Sequence, residues 1–146
     1  MEEVKAEAAG KNISVTVNIF HSRFIKKDRA KLEEEIIKFG KIYDKNGNLD
    51  KQSGIWIATS IVEASLDIDF DYLFTELLDL NSLFQRFGRC NRKGAKNVTM
   101  YNCYVYTQLD EGDFILGNKG FIDKTIFELS NKAIHDINGK LSESKK

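Results

Sequence analysis

Ile13, Val15, Val17 and Ile19 take one parity near the start of the chain, and Ser14, Thr16, Asn18 and Phe20 the other. A period of two predicts a strand with one better-buried face. Ahead of it, Glu2 to Ala9 is rich in helix formers and stops at Gly10, the pattern of a helix with a glycine just past its end. His21-Ser22-Arg23-Phe24 falls at the strand's carboxyl end. Leu32, Ile36 and Phe39 then recur at spacings of four and three, which predicts a helix capped by Asp28, ended by Gly40 and solvated on its Lys and Glu side. Asp44 to Gln52, with Asn46-Gly47-Asn48, reads as a polar connection, and the apolar run Ile55 to Ala58 as a second, buried strand.

Ser60 to Asp69 carries that strand into a turn, and Tyr72 to Thr75 predicts a third short strand. Asn81 or Ser82 is placed to cap a helix running through Leu83, Phe84 and Phe87 toward Arg92, with Gly94 at its end. Val98 to Tyr106 predicts a fourth strand. Ile122, Ile126, Leu129, Ala133 and Ile137 recur at spacings of three and four and predict a last helix. Strands alternating with helices over short loops imply an α/β fold with right-handed crossovers, a mainly parallel sheet and helices on both faces. Ligands of such sheets collect beyond the carboxyl ends of the strands, where residues 21 to 24, residues 59 to 69 and the start of the third helix all fall.

Composition narrows the field. The 146 residues, 42% of them hydrophobic, are enough for one domain with a real core. Lys and Arg number 22 and Asp and Glu number 22, so any site for a polyanion must be local rather than a global basic field. Cys90 and Cys103 have neither zinc-site spacing nor the number of a disulfide scaffold, and read as free thiols of a reducing compartment. No apolar run approaches the roughly 18 residues that span a bilayer, and a soluble, cytoplasmic protein with no membrane partner is expected.

The strongest local charge lies in Gln85-Arg86-Phe87-Gly88-Arg89-Cys90-Asn91-Arg92-Lys93, which sets four cations close together with no acid among them. On a helix Arg86, Arg89 and Lys93 share a face, and like charges there repel unless an anion or a carboxylate faces them. A basic helix face is ordinarily just a solvated one. Here Gly88 in a helix interior costs about 1 kcal/mol against Ala, which implies a close approach of backbone or ligand. Leu83, Phe84 and Phe87 would pin the helix and hold the arginines as rigid forked donors, the requirement of phosphate recognition. Asp67, Asp69 and Asp71 alternate with apolar residues. An extended run spaces them too widely for one hard cation, and pairing with Arg86 or Arg89 is simpler, so no metal site is expected. Tyr101, Tyr104 and Tyr106 are candidates for base stacking or, more ordinarily, for packing. His135 reads as a surface residue.

The basic segment resembles motif VI of superfamily 2 helicases, and Ile57 to Asp71 looks like their motif V. The wording Glu-Ala-Ser-Leu-Asp-Ile-Asp-Phe-Asp, then Gln-Arg-Phe-Gly-Arg-Cys-Asn-Arg-Lys-Gly, is most similar to the helicase part of the CRISPR-associated helicase-nucleases of type I systems. His21-Ser22-Arg23-Phe24 with Asp28-Arg29 is similar to that family's motif IV region, and the resemblance covers roughly residues 13 to 106. It implies a RecA-like three-layer sandwich over residues 1–139, lacking its first strand and helix start, with a flexible tail at 140–146. It further implies a second helicase lobe that supplies Arg89 and Arg92 as arginine fingers to ATP phosphates, with Gln85 beside the γ-phosphate and attacking water. Asp67 matches a carboxylate that contacts the nucleotide ribose or those arginines. Thr59 and Ser60, and more weakly His21 and Arg23, match positions that hold the backbone of single-stranded DNA. Arg86 is expected in a structural ion pair with Glu63 or a motif V Asp.

The implied cofactors are ATP and Mg²⁺, held mainly by a first RecA-like lobe. That lobe, a nuclease domain, single-stranded DNA and a CRISPR RNA-guided surveillance complex are the implied partners. The sequence has no Gly-x-x-x-x-Gly-Lys-Ser/Thr loop and no Asp-Glu-x-His or Asp-Glu-Ala-Asp run, so this polypeptide by itself is expected not to hydrolyse ATP. Two rivals stand beside the motor reading: a nucleic-acid-binding or regulatory module without catalysis, and an unrelated α/β domain with a chance basic helix. The motor reading requires Arg89 and Arg92 at an exposed edge near the strand tips bearing Thr59 and His21.

Overall fold

The structure is a computed structural model. It describes residues 2–11, 14–41, 53–63, 66–92, 94, 96, 98, 100–108, 122–135 and 137. The polar connection expected at residues 44 to 52 and the tail expected at 140–146 both lie entirely outside these residues.

α1 (Glu2–Gly10) buries none of its residues, and its end carries an exposed Glu7 to Lys11 pair at 2.8 Å. That ion pair holds the Glu7 carboxyl below its ordinary pKa and raises Lys11. β1 (Thr16–Phe20) and β2 (Gly54–Ala58) run parallel in the register Thr16 to Gly54 through Phe20 to Ala58. Between them comes α2 (Lys26–Phe39), as a parallel pair demands of its crossover. Ile25 occupies the cap position of α2 with no side-chain hydrogen bond. Asp28, expected there, sits in the first turn, where its charge still favours the helix's amino end.

Burial in β1 is not confined to one face. Val17 and Phe20, of opposite parity, are both buried. Phe20 joins Ile36, Leu66 and Ile68 in a first core cluster, against which Leu32, Ile37, Trp56 and Phe70 pack. Two glycines permit this closeness. A Cβ on Gly40 would lie 2.9 Å from Ile68 Cβ, and one on Gly54 would lie 2.9 Å from the Phe39 ring. β2 is less covered than its apolar run implied, because Ile55 and Ile57 remain exposed on the face that α2 leaves open.

A 3₁₀ helix, Ser60–Glu63, follows β2. β3 (Leu73–Glu76) pairs in parallel with β4 (Cys103–Tyr106), and a single parallel bridge joins Phe70 to Cys90. The strands therefore form two parallel pairs, with no ladder linking them among the described residues. The fourth strand is shorter than the apolar pattern from Val98 indicated.

α3 (Leu80–Phe87) is capped by Asp79, not Asn81 or Ser82, with the Ser82 amide donating to Asp79 Oδ1 at 2.9 Å. It stops at Gly88, well short of Arg92. α4 (Lys124–His135) begins at Asp123, whose Oδ1 accepts from the amides of Thr125 and Ile126. Its buried residues are Phe127 and Ser130, whereas Ile126 and Leu129 of the expected stripe are exposed. The helix has two apolar faces, and packing chose the one bearing the aromatic ring. Leu77, Leu83, Ile122 and Phe127 form the second core cluster, with Phe87, Val105 and Ile134 against it. Among the described residues no helix is long and apolar enough to cross a membrane.

Candidate functional site

The carboxyl ends of β1 and β2 lie side by side, because the Thr59 amide donates to the Phe20 carbonyl at 3.2 Å. Thr59, Ser60 and Arg23 are exposed at this end. The His21 and Phe24 rings stack at 4.3 Å, and the Arg23 amide donates to His21 Nδ1 at 3.1 Å. Short hydroxyl donors and an exposed guanidinium at strand tips are the groups that hold a phosphodiester backbone.

The 3₁₀ helix starting at Ser60 ends at Glu63, where α3 reaches it. Arg86 Nε donates to Glu63 Oε1 at 2.9 Å, and its Nη1 donates to the Glu76 carbonyl at 2.9 Å and to Thr75 Oγ1. This pair is largely out of water, with 11% of the Arg86 side chain and 14% of the Glu63 side chain exposed. One arginine thus binds the 3₁₀ helix to the end of β3. It is a structural pair of the kind that is costly to break from one side.

Arg89 and Arg92 lie beyond α3, in the turn after it, so they do not share a helical face with Arg86. Gly88 has φ −65° and a Cβ there would make only ordinary contacts, so no close approach explains this glycine. Arg89 is half-buried. Its Nη2 donates to the Glu63 carbonyl at 3.3 Å, and its Nε is buried with no hydrogen-bond partner among the described residues. Arg92 is the open one, with 47% of its side chain exposed and Nη1 3.3 Å from Asp67 Oδ1, itself 95% exposed. Gln85 is exposed on α3.

The three alternating aspartates do not pair with Arg86 or Arg89. Asp67 meets Arg92, Asp69 Oδ1 accepts the Arg92 amide at 3.0 Å, and Asp71 meets Lys96 Nζ at 3.0 Å. Among the described residues no three His, Cys, Asp or Glu side chains are grouped to hold a metal.

Sequence reasoning missed the clip that holds this turn. Asn91, at φ 47°, accepts the Lys96 amide on Oδ1 at 3.0 Å and donates Nδ2 to the Lys96 carbonyl at 3.3 Å. Lys96 Nζ also donates to the Asp69 carbonyl. The available signal was Asn91 followed by Gly94, two residues that tolerate the left-handed region, and Gly94 has φ 63°. Nothing local marks Lys96.

Both cysteines are free. A hydrogen bond to Cys103, with burial second, pushes the Cys90 thiol far up, and the same bond lowers Cys103. Asp79 is held below the ordinary carboxylate range. Burial pushes it up, but donors from the Ser82 backbone and side chain and the Asn81 backbone, with the Arg86 charge, outweigh that.

Residues 1–95 match the family model described as CRISPR-associated nuclease/helicase Cas3, C-terminal. Over 86 residues the chain is 42% identical to the CRISPR-associated endonuclease/helicase Cas3 of Escherichia coli (strain K12), a match covering 58% of this chain and 9% of that protein. Its fold is similar to the crystal structure of T. fusca Cas3-ATP, with TM-score 0.69 at 20% identity over 97% of this chain and 17% of the other. It is also similar to a chain of a CRISPR RNA-guided surveillance complex, pre-nicking, with TM-score 0.62 at 19% identity over 99% of this chain and 18% of the other. The chain spans about a tenth of the curated relative's length.

Proposed function

Since the chain belongs to the CRISPR-associated nuclease/helicase Cas3 family and matches its C-terminal part, we propose that it is the second RecA-like lobe of an ATP-dependent DNA helicase of CRISPR defence. In this reading it completes an ATP site whose phosphate loop and Mg²⁺ ligands belong to a first lobe. The observation that carries it is the division of labour among three arginines. Arg86 is consumed internally, Arg89 is fixed by a single carbonyl, and Arg92 stands open with one exposed carboxylate partner. An exposed pair of that kind is worth about 0 to 1 kcal/mol, so a phosphate displaces Asp67 from Arg92 at little cost.

ATP bound with Mg²⁺ supplies a γ-phosphoryl whose transfer to water spreads charge over its oxygens. Arg92 and Arg89 supply fixed positive charge to those oxygens, Gln85 orients the water, and Asp67, once released by Arg92, faces the ribose. Thr59 and Ser60, with His21 and Arg23, hold the backbone of single-stranded DNA, and the 3₁₀ helix that Arg86 and Arg89 grip at Glu63 links them to the arginines. Closing and reopening of the two lobes then moves the strand. Docking to a CRISPR RNA-guided surveillance complex belongs to this reading, because a chain of such a complex shares the fold.

The test is to titrate a separately expressed first lobe into the chain and measure ATP hydrolysis. Turnover is expected to appear on mixing and to fall roughly 10³- to 10⁵-fold, or about 4 to 7 kcal/mol of barrier, with Arg89→Ala or Arg92→Ala. Paired Thr59→Ala and Ser60→Ala changes should instead weaken salt-dependent binding of single-stranded DNA. Binding without turnover in the mixed lobes would favour the module without catalysis.

A further inference from the structure

Cys90 and Cys103 are both free, and the fold brings them to one place. Cys90 is held against Phe70, whose amide donates to the Arg89 carbonyl at 2.9 Å and whose carbonyl accepts the Asn91 amide at 2.9 Å. Cys103 is held a little further along the same segment as the register partner of Leu73, whose amide donates to the Asn102 carbonyl at 2.8 Å. One stretch of backbone, residues 70–73, therefore fixes both cysteines.

Asn102 packs between them. Its Nδ2 donates to Cys90 Sγ at 3.4 Å, and Cys90 Sγ lies 3.5 Å from the Asn102 carbonyl oxygen and 3.4 Å from that of Asp71. The Cys90 thiol is also hydrogen-bonded to the Cys103 sulfur, which keeps the proton on Cys90 and favours the thiolate of Cys103. A thiolate is the attacking species in disulfide exchange. Exposure sorts the two sulfurs in the same order, since Cys90 is 7% exposed and Cys103 is partly open. A reagent from solution meets Cys103 first, with Cys90 directly behind it.

We propose that Cys90 and Cys103 form a reversible internal disulfide, a modification site whose oxidant is a small-molecule disulfide. The Cys103 thiolate attacks one sulfur of the oxidant, forming a mixed disulfide and releasing a thiolate that takes up the proton Cys103 gave to water. Capped in this way, Cys103 carries no charge, so the contact that kept the proton on Cys90 is gone. Cys90 Sγ then attacks Cys103 Sγ, its proton passes to the departing thiolate, and the link closes. The two cysteines have lost two electrons to the oxidant, which leaves as two thiols. Cys90 follows Arg89 in the chain, so the link ties the turn that carries Arg89 and Arg92 to the first residue of β4, and excess thiol releases it. Bond formation rests on no nucleotide chemistry.

The test is equilibration of the full chain in mixtures of reduced and oxidised glutathione, read by intact mass and by non-reducing peptide mapping. The native chain is expected to lose two hydrogens as a monomer and to yield a peptide linked through Cys90 and Cys103. The equilibrium constant for the link is expected to be at least about tenfold larger in the native chain than in urea, because the fold holds the sulfurs together. Cys90→Ser is expected to stop with one glutathione on Cys103, and Cys103→Ser to take up glutathione about tenfold more slowly. Circular dichroism identifies a variant that has lost its fold, and the comparison of native and urea-treated wild type decides the matter without the variants. An equilibrium constant no larger in the native chain than in urea overturns the proposal. So does a link between two chains, or glutathione that stays on both cysteines.

Discussion

The last turn of α3 and the turn that follows it carry the same kind of side chain and treat it in opposite ways. Arg86 is enclosed, with a carboxylate, a carbonyl and a hydroxyl as partners, and joins the 3₁₀ helix to β3. Arg92 keeps half its side chain in water and meets Asp67 at the outer limit of a hydrogen bond. What separates them is the end of the helix at Gly88. Before it the side chain's direction is fixed by the helix and points to Glu63 and the end of β3. After it the chain turns back along residues 67 to 71, stitched by Asn91 and Lys96, and the guanidinium is turned outward. A charge enclosed and held by several partners builds structure, even with Arg86 Nη2 left buried and unpartnered among the described residues, and one held by a single weak partner is free for a ligand.

The sharpest way to break the comparison is Arg86→Ala. It leaves Glu63 buried without its cation, and urea unfolding should show a loss of about 3 to 5 kcal/mol. A loss below about 1 kcal/mol would make Arg86 no more structural than Arg92. Asp79→Ala removes the cap that starts α3 and should cost about 1 kcal/mol at neutral pH. Because the folded-state pKa of Asp79 is lowered, its contribution is present above the ordinary aspartate pKa near 4 and is lost as pH falls through the folded value. The stability difference between wild type and Asp79→Ala should therefore shrink on acidification from about pH 5 to pH 2.

Gly88→Ala sharpens the boundary between the two turns. The backbone there is one any residue adopts and the added methyl has room, so a gain of about 0.4 to 1 kcal/mol in thermal or urea unfolding is expected. A clear loss would mean the glycine serves a purpose that its surroundings do not show. Arg92→Ala should have the smallest effect on stability, within about 0.5 kcal/mol, and its consequence should be confined to the assay with a first lobe.

Much of the candidate site was legible as sequence because its groups sit together in the chain. The segments 21–24, 57–71 and 85–93 stand out by charge and by position after apolar runs, and the closeness of their elements follows from a parallel alternation of strands and helices. Lys96 and the carbonyl partners of Arg86 were not legible, since a carbonyl at Glu76 looks like every other carbonyl until the fold brings α3 over it. The aspartates were misjudged for the same reason. Asp67, Asp69 and Asp71 lie far from Arg86, Arg89, Arg92 and Lys96 in sequence, and only the turn after α3 decides which group each meets.

Periodicity and end signals, which are local, were enough for the order of elements, the parallel architecture and the stop of α2 at Gly40, and the resemblance of residues 57–71 and 85–94 to helicase motifs pointed to the family. The tertiary structure decided the rest: which face of α4 is buried, where α3 stops, which arginine is enclosed and which open, and that Cys90 lies beside Cys103. The physical reason is range. Helix and strand preferences are set by neighbours within a turn or two, whereas burial, ion pairing and exposure are set by whichever distant segment packs alongside.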